Sequence, residues 1–326
     1  MSQVLDHVIE SIGPASEANA EMARSRLAGV GAPMLEKLAA RLAGAQHTPA
    51  PRSDSRRIVV VIGDHGCGDP GIVMNADHPS VIAATAIADG NAALCQVARS
   101  PGTPIVLVDA GSREPSHMPG IAIQLGRGPT YDLMREPAMT VVDAVLGLEA
   151  GIALAMSLAE GDATHDRVLD VVAIGALGVG AEVASAAILG AVTRRPVVGL
   201  GDEMAEAASV KGASLVGASP TEILATFGGS ETAVLAGLML GCASINVPVI
   251  LDGYATGAAA LVATAFAPLV TGYLVAAHRG GFTMPGILAH LGLEPIFDVG
   301  LGHGEGTGAA MVLPLIDQVA ALVRTR

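Results

Sequence analysis

Tryptophan is missing from this chain, and only three tyrosines and four phenylalanines stand among its 326 residues. Aromatic rings make up 2% of the sequence, which excludes a base-stacking platform of the kind that holds single-stranded nucleic acid. Positive charge is also scarce: 18 Lys and Arg against 31 Asp and Glu leave a net charge of −13. Such a surface repels phosphate backbones and anionic lipid, so neither nucleic acid nor a membrane is an expected partner. Cysteine occurs only as Cys67, Cys95 and Cys242, with no CxxC pair. A sparse, odd set reads as reduced thiols rather than a disulfide frame. The opening MSQVLDHVIE has neither the basic region nor the apolar run of an export signal, and a cytoplasmic location is expected.

What fills the space is small and aliphatic. Hydrophobic residues make up 51% of the chain and glycine contributes 41 residues, with a mean hydropathy of +0.54. That burial potential excludes disorder for most of the chain, and the glycines allow helices and turns to approach closely. Two stretches, 232–251 and 253–277, are long enough to cross a bilayer and carry no Asp, Glu, Lys or Arg. They contain Asn246, Pro248, Gly257, Pro268 and Gly272, are separated by Asp252, and lack flanking basic clusters. Buried strands and helices of a soluble α/β core are the expected reading.

Residues 3–44 place Leu27, Leu35, Leu38 and Leu42 at helical spacing, which predicts two or three short amphipathic helices. AQHTPAPRSDSRR (45–57) reads as a linker. Five β-branched runs then end in glycine with an acid nearby: 58–66, 104–111, 168–180, 247–253 and 295–306. Ala-rich helical stretches lie between them, among them 81–99, 140–159 and 181–193. Strands alternating with helices predict an α/β fold with a doubly wound, mainly parallel, Rossmann-like sheet. Ligands of such sheets bind outside the carboxyl ends of the strands. Asp64, His65 and Gly66 after the first strand, and Gly175, Gly178 and Gly180 after the third, are therefore candidate substrate contacts.

GDHGCGDP (63–70) and NADHP (75–79) gather Asp64, His65, Cys67, Asp69, Asp77 and His78. A metallohydrolase site is one reading. No HxH or HExxH spacing supports it, strand-end turns collect polar residues anyway, and no metal is expected. The spacing of Gly175, Gly178 and Gly180 does not match G-x-G-x-x-G. A phosphate loop and simple helix–strand packing stand as equal explanations. In GHGEGTGAA (302–310), Glu305 lies between Gly304 and Gly306, where it can approach a ligand closely as a general base; a solvated turn glutamate is the plain alternative. Lys211 is either a surface lysine or a phosphate contact. His117, His165, His278, His290 and His303 show no distinguishing spacing.

GDHG (63–66), GRGPTYDLMREPAMT (126–140), GGSETAVLAG (228–237), VILDGYAT (249–256) and LGHGEGTGAA (301–310) together resemble the nicotinate-nucleotide–dimethylbenzimidazole phosphoribosyltransferase family, from about residue 58 to the C-terminus. The resemblance implies a large parallel-sheet domain over 58–270 and a small helical domain that draws on 1–44. It implies that 271–326 is shared between the small domain and the last strand and helix of the sheet. It further implies a homodimer without metal or organic cofactor, and transfer of phosphoribose from nicotinate mononucleotide to a benzimidazole-like base. That reaction forms α-ribazole phosphate, the lower-ligand precursor of cobalamin. Glu305 would be the base, with Gly304, Gly306 and Thr307 shaping its turn and Lys211 on the phosphate. The family's loop Gly-Glu-Met-Gly-Ile-Gly-Asn-Thr-Thr is here GALGVGAEV (175–183), with Ala176 in place of the glutamate and Glu182 adding negative charge. The tyrosine expected in 71–79 is absent. These departures leave a second reading open, a non-catalytic or regulatory homologue with a degenerate phosphate loop.

Overall fold

The computed structural model describes residues 2–68, 77–100, 102–114, 117, 119–125, 128–160, 169–302 and 304–325. Six strands form one sheet: β1 (Arg56–Gly63), β2 (Ile105–Gly111), β3 (Ile123–Gln124), β4 (Val171–Leu177), β5 (Val249–Leu251) and β6 (Leu274–Ala276). All neighbours pair in parallel, in the order β3-β2-β1-β4-β5-β6. The order reverses between β1 and β4, which opens a crevice at their carboxyl ends.

Successive side chains of a strand point to opposite faces, and each face needs its own cover. Val59, Val61, Val172, Ile174 and Leu251 lie in one core. Ile58, Val60, Ile62, Val171, Ala173 and Ile250 lie in the other. The first core is covered by α1 (Gln3–Ser11), α6 (Val141–Ala159), α7 (Ala181–Thr193), α8 (Glu203–Ser214), α9 (Pro220–Phe227), α10 (Ser230–Ser244), α11 (Tyr254–Phe266) and α12 (Met284–Leu291). The second is covered by α2 (Glu17–Leu27), α3 (Pro33–Ala45), α4 (Pro79–Ala88), α5 (Ala93–Arg99) and α13 (Thr307–Thr325). The three N-terminal helices match the expectation for residues 3–44, and α7 occupies the expected residues 181–193. The expected linker ends early, since Arg56 and Arg57 already belong to β1.

Two expectations are corrected, and the two long apolar runs divide into buried helices and strands as expected. Among the described residues of 295–306 there is no strand, and Phe297 makes a single bridge, to His278. Pro295 and Gly300, with φ 69°, interrupt a run that holds only two adjacent large apolar residues, Ile296 and Phe297. The helix expected over 81–99 is two helices, parted at Gly90, whose φ is 73°. The apolar run 253–277 divides at Ala267, held extended at φ −140° ahead of Pro268, so that α11 gives way to a 3-10 turn and then β6. The run 232–251 likewise divides into α10 and β5 around Asn246 and Pro248. Among the described residues, 79–99, 141–159 and 307–325 are long and apolar enough to cross a membrane by length and composition. The first of these is the stretch broken at Gly90.

Glycine sets how closely the helices cross. A Cβ on Gly151 of α6 would lie 2.0 Å from the Val234 carbonyl of α10, and one on Gly237 would lie 2.0 Å from the Leu148 carbonyl of α6. Gly190 and Gly212 play the same part between α7 and α8. Backbones in such contact leave no room for rings between them, which is why so few aromatics suffice. Gly151→Ala is expected to lower stability by about 1–3 kcal/mol, read as a lower urea midpoint at unchanged slope. An unaltered midpoint would mean that α6 and α10 do not pack this closely.

Candidate active site

The carboxyl ends of β1 and β5 each deliver a buried carboxylate, Asp64 and Asp252, beside the turn after β4. Asp64 follows β1 and is buried. Its Oδ1 accepts from the Ser80 hydroxyl (2.5 Å) and the Val179 N–H (3.0 Å), and its Oδ2 from the Arg113 backbone N–H (2.8 Å). One carboxylate thus ties the end of β1 to the start of α4, the loop after β2 and the turn after β4. His65, fully buried, places Nε2 3.0 Å from Glu231 Oε1, which also accepts from the Thr232 hydroxyl at 2.8 Å. Among the described residues, His65 Nδ1 and Glu231 Oε2 have no hydrogen-bond partner. Gly63 and Gly229 make room for this carboxylate, since a Cβ on Gly229 would lie 2.0 Å from Glu231 Oε2.

Burial alone would push the His65 pKa down, but the charge and hydrogen bond of Glu231, with Asp64 and Glu182 beyond, more than offset it and the pKa is raised. Burial would raise the Glu231 pKa; the His65 charge and hydrogen bond, with the Thr232 hydroxyl, hold it below the ordinary glutamate value. The neighbouring Cys67 thiol is pushed up to about 12, chiefly by burial, which leaves it protonated and unreactive.

The third tie lies at the end of β5. Asp252 is fully buried; its Oδ2 accepts from the Gly306 N–H (2.6 Å), and its Oδ1 accepts from the Ala309 N–H (3.0 Å) and lies 3.0 Å from His278 Nε2. His278 Nδ1 accepts from the Gly280 N–H, which puts the ring proton on Nε2, toward Asp252. Asp252 therefore caps α13 from another segment of the chain and fixes the turn 304–306. Gly308 is required there, because a Cβ would come within 2.4 Å of both Asp252 and His278. The Gly304 carbonyl accepts from the Ala176 N–H at 2.8 Å, laying the turn against the end of β4. Gly175 permits that contact, since its Cβ would lie 2.4 Å from the Glu305 carbonyl carbon.

Each expected site residue can now be placed. Glu305 is half-buried on this turn and makes no hydrogen bond or ion pair among the described residues. The same holds for Glu182 in the first turn of α7. Both carboxylates act on the Tyr254 hydroxyl, whose pKa rises to about 12 through burial and then through Glu182 and Glu305. Tyr254 packs on Phe282, ring centres 5.5 Å apart at 53°. Glu182 and Glu305 thus both lie near enough to Tyr254 for their charge to be felt there. Gly178 and Gly180 serve close packing: a Cβ on Gly178 would strike the Gly63 carbonyl at 1.8 Å, and Gly180 caps α7 at φ 84°. Gly66 lies against the Thr130–Asp132 backbone, and its N–H donates to the Thr130 hydroxyl at 3.3 Å. Thr307 opens α13 behind Gly306. Lys211, on α8, donates from Nζ to the Leu133 carbonyl at 2.5 Å. Asp69, His165, His303 and part of 71–79 and 126–140 lie outside the described residues. Among the described residues no group of three or more His, Cys, Asp or Glu stands where it could hold a metal. Sequence reasoning assigned no role to Asp252, His278, Glu231 or Tyr254; DGYAT after a β-branched run is the signal that was available for Asp252 and Tyr254.

Asp252→Asn is expected to cost about 3 kcal/mol in chemical denaturation, because the amide cannot accept from Gly306, Ala309 and His278 together. Equal stability would remove Asp252 from this structural role. The His65–Glu231 pair generates a pH dependence. A raised His65 pKa contributes stability that is complete below the unfolded histidine value and lost as pH rises through the folded one. A lowered Glu231 pKa contributes stability present above the unfolded glutamate value and lost as pH falls through the folded one. The pair therefore stabilises most between the ordinary values of 4.5 and 6.5. Glu231→Gln should show its largest deficit against the unaltered protein in that window, narrowing toward about pH 9. A deficit constant across that range would mean that His65 is not charged in the folded protein.

A family model described as phosphoribosyltransferase matches residues 12–326. A nicotinate-nucleotide–dimethylbenzimidazole phosphoribosyltransferase of Roseiflexus sp. (strain RS-1) is 35% identical, over 96% of this chain and 92% of its own. A protein of the same name from Deinococcus radiodurans is 34% identical over 99% of this chain and 93% of its own. The crystal structure of a protein with that activity in its name, from Thermus thermophilus, superposes with a TM-score of 0.81 at 30% identity, covering 95% of this chain and 96% of that one.

Proposed function

The chain belongs to the nicotinate-nucleotide–dimethylbenzimidazole phosphoribosyltransferase family, and from that premise we propose that it moves phosphoribose from nicotinate mononucleotide to a benzimidazole-like base, in lower-ligand assembly of cobalamin. The observation that carries this reading is Glu305, a carboxylate without a partner among the described residues, on a turn held at both sides, by Asp252 through Gly306 and by Ala176 through Gly304. One nitrogen of the base attacks C1′ of the ribose, the bond from C1′ to the pyridinium nitrogen breaks, and nicotinate leaves with that electron pair. The proton of the azole's other nitrogen passes to Glu305. A pyridinium is already a good leaving group, so the protein's work is proton removal and positioning.

Tyr254 and Phe282 supply a flat apolar flank for the base. The first N–H groups of α7 lack a side-chain cap at Gly180 and suit the donor's phosphate. Asp64, His65 and Gly66 support the crevice from the β1 side, while Lys211 braces the loop at Leu133. The relatives favour this reading over a non-catalytic homologue, since those described above carry the transferase name. A homodimer is part of the proposal: Val142 and Leu146, one turn apart on α6, are exposed and suit a second copy. A cytoplasmic setting agrees with three buried, unpaired cysteines.

Release of nicotinate from nicotinate mononucleotide, in the presence of dimethylbenzimidazole and a panel of other azoles and phenols, tests the reading. No release with any acceptor, from folded protein, would sink it. Glu305→Gln should lower turnover by about two to four orders of magnitude, with little change in KM for the donor. Unchanged turnover would take the base role away from Glu305.

A further inference from the structure

Away from the strand ends, a cavity of about 430 Å³ lies between α2, α3, the edge strand β6 and the segment 292–296. Its volume falls in the range of small-molecule sites. None of the groups placed above at the ends of β1, β4 and β5 lines it. In a chain so poor in positive charge, Arg24, Lys37 and Arg41 all face this one cavity.

The three cations differ in what they have left to offer. Arg24 pairs with Glu21 and Lys37 with Glu294, both as exposed surface pairs. Arg41 has no acidic partner among the described residues; it donates once, from Nη1 to the Thr271 carbonyl at 2.8 Å, and its other guanidinium donors have no protein acceptor there. Burial draws its pKa below the ordinary arginine value. A partly desolvated guanidinium without a counter-charge is costly, and an anion seated beside it offsets that cost. Its planar fork matches a carboxylate with two parallel hydrogen bonds. The charge balance then sets the limit. Glu17 and Glu294 also line the cavity, so a second negative charge on the ligand would meet repulsion. The remaining wall includes the partly exposed apolar side chains of Met34 and Ile296.

We propose that this cavity binds a small organic monocarboxylate with an apolar body, its carboxylate on Arg41 and its body against Met34 and Ile296. The site is independent of the transferase reading, because no residue of that reaction takes part. Octanoate and benzoate serve as probes and inorganic phosphate as the control, with methyl-labelled Met and Ile observed by NMR in the full chain. Saturable shifts at Met34 and Ile296 are expected with one or both acids, and none there with phosphate. Arg41→Met should weaken that binding about tenfold or more. Octanol, which keeps the body and lacks the charge, should leave these methyls unmoved at the same concentration, a comparison that needs no variant to fold. The proposal is overturned by any of four results: no saturable shift at these methyls with either acid, equal binding by Arg41→Met, equal binding of octanol, or equal shifts with phosphate.

Discussion

The carboxylate of Asp252 is the contact on which the reacting end of this molecule depends. It sits at the end of β5, fully buried, and accepts from two backbone N–H groups at the start of α13 while facing the protonated nitrogen of His278. A buried carboxylate survives in low dielectric when its lone pairs are taken by several donors and a helix start supplies positive potential. Both conditions hold here. The consequence is geometric: the turn bearing Glu305 is fixed to the sheet by an acid that is not itself free to react. Glu305 keeps its own oxygens unengaged because Asp252 holds the turn for it.

Asp64 does the same on the other side of the crevice, with donors from α4, from the loop after β2 and from the turn after β4. Between them stand two buried acid–histidine contacts, His65 with Glu231 and His278 with Asp252, which differ in a telling way. His278 has both nitrogens satisfied, so its tautomer is set by its neighbours. The first pair leaves His65 Nδ1 and Glu231 Oε2 without partners among the described residues, and its stability rests on charge, hence on pH. The crevice is therefore framed by one tie whose hydrogen bonds are complete and one whose hold depends on pH.

Much of this frame was legible in the sequence, and the parts that were not share a physical cause. β1, β2, β4 and β5 were readable because strands buried on both faces need long β-branched runs. β6 escaped because three residues within a longer apolar run carry no periodicity of their own. Residues 295–306 misled because a strand-like composition of Ile, Phe, Val and Leu was cut by Pro295 and Gly300. Glu305 stood out between its glycines, and the resemblance carried its role. Asp252 and His278 lie 26 residues apart, and His65 and Glu231 lie 166 apart, so no local spacing could join them. Such pairs belong to the fold, and a single sequence does not announce them.

The glycine loop after β4 changes meaning once it is folded. By sequence, Ala176 in place of a glutamate and Glu182 in the first turn of α7 read as a phosphate site gone wrong. In space, Glu182 acts on Tyr254 together with Glu305, so its carboxylate lies toward the aromatic pair. The backbone N–H groups of the same turn remain uncapped. One helix start can thus present two opposite characters, backbone donors for an anion and a side-chain carboxylate for a cation. A donor that carries a phosphate at one end and a pyridinium at the other matches that division of charge. The negative charge absent at Ala176 reappears at Glu182 further along the same loop, and two of the chain's few rings, Tyr254 and Phe282, pack on each other.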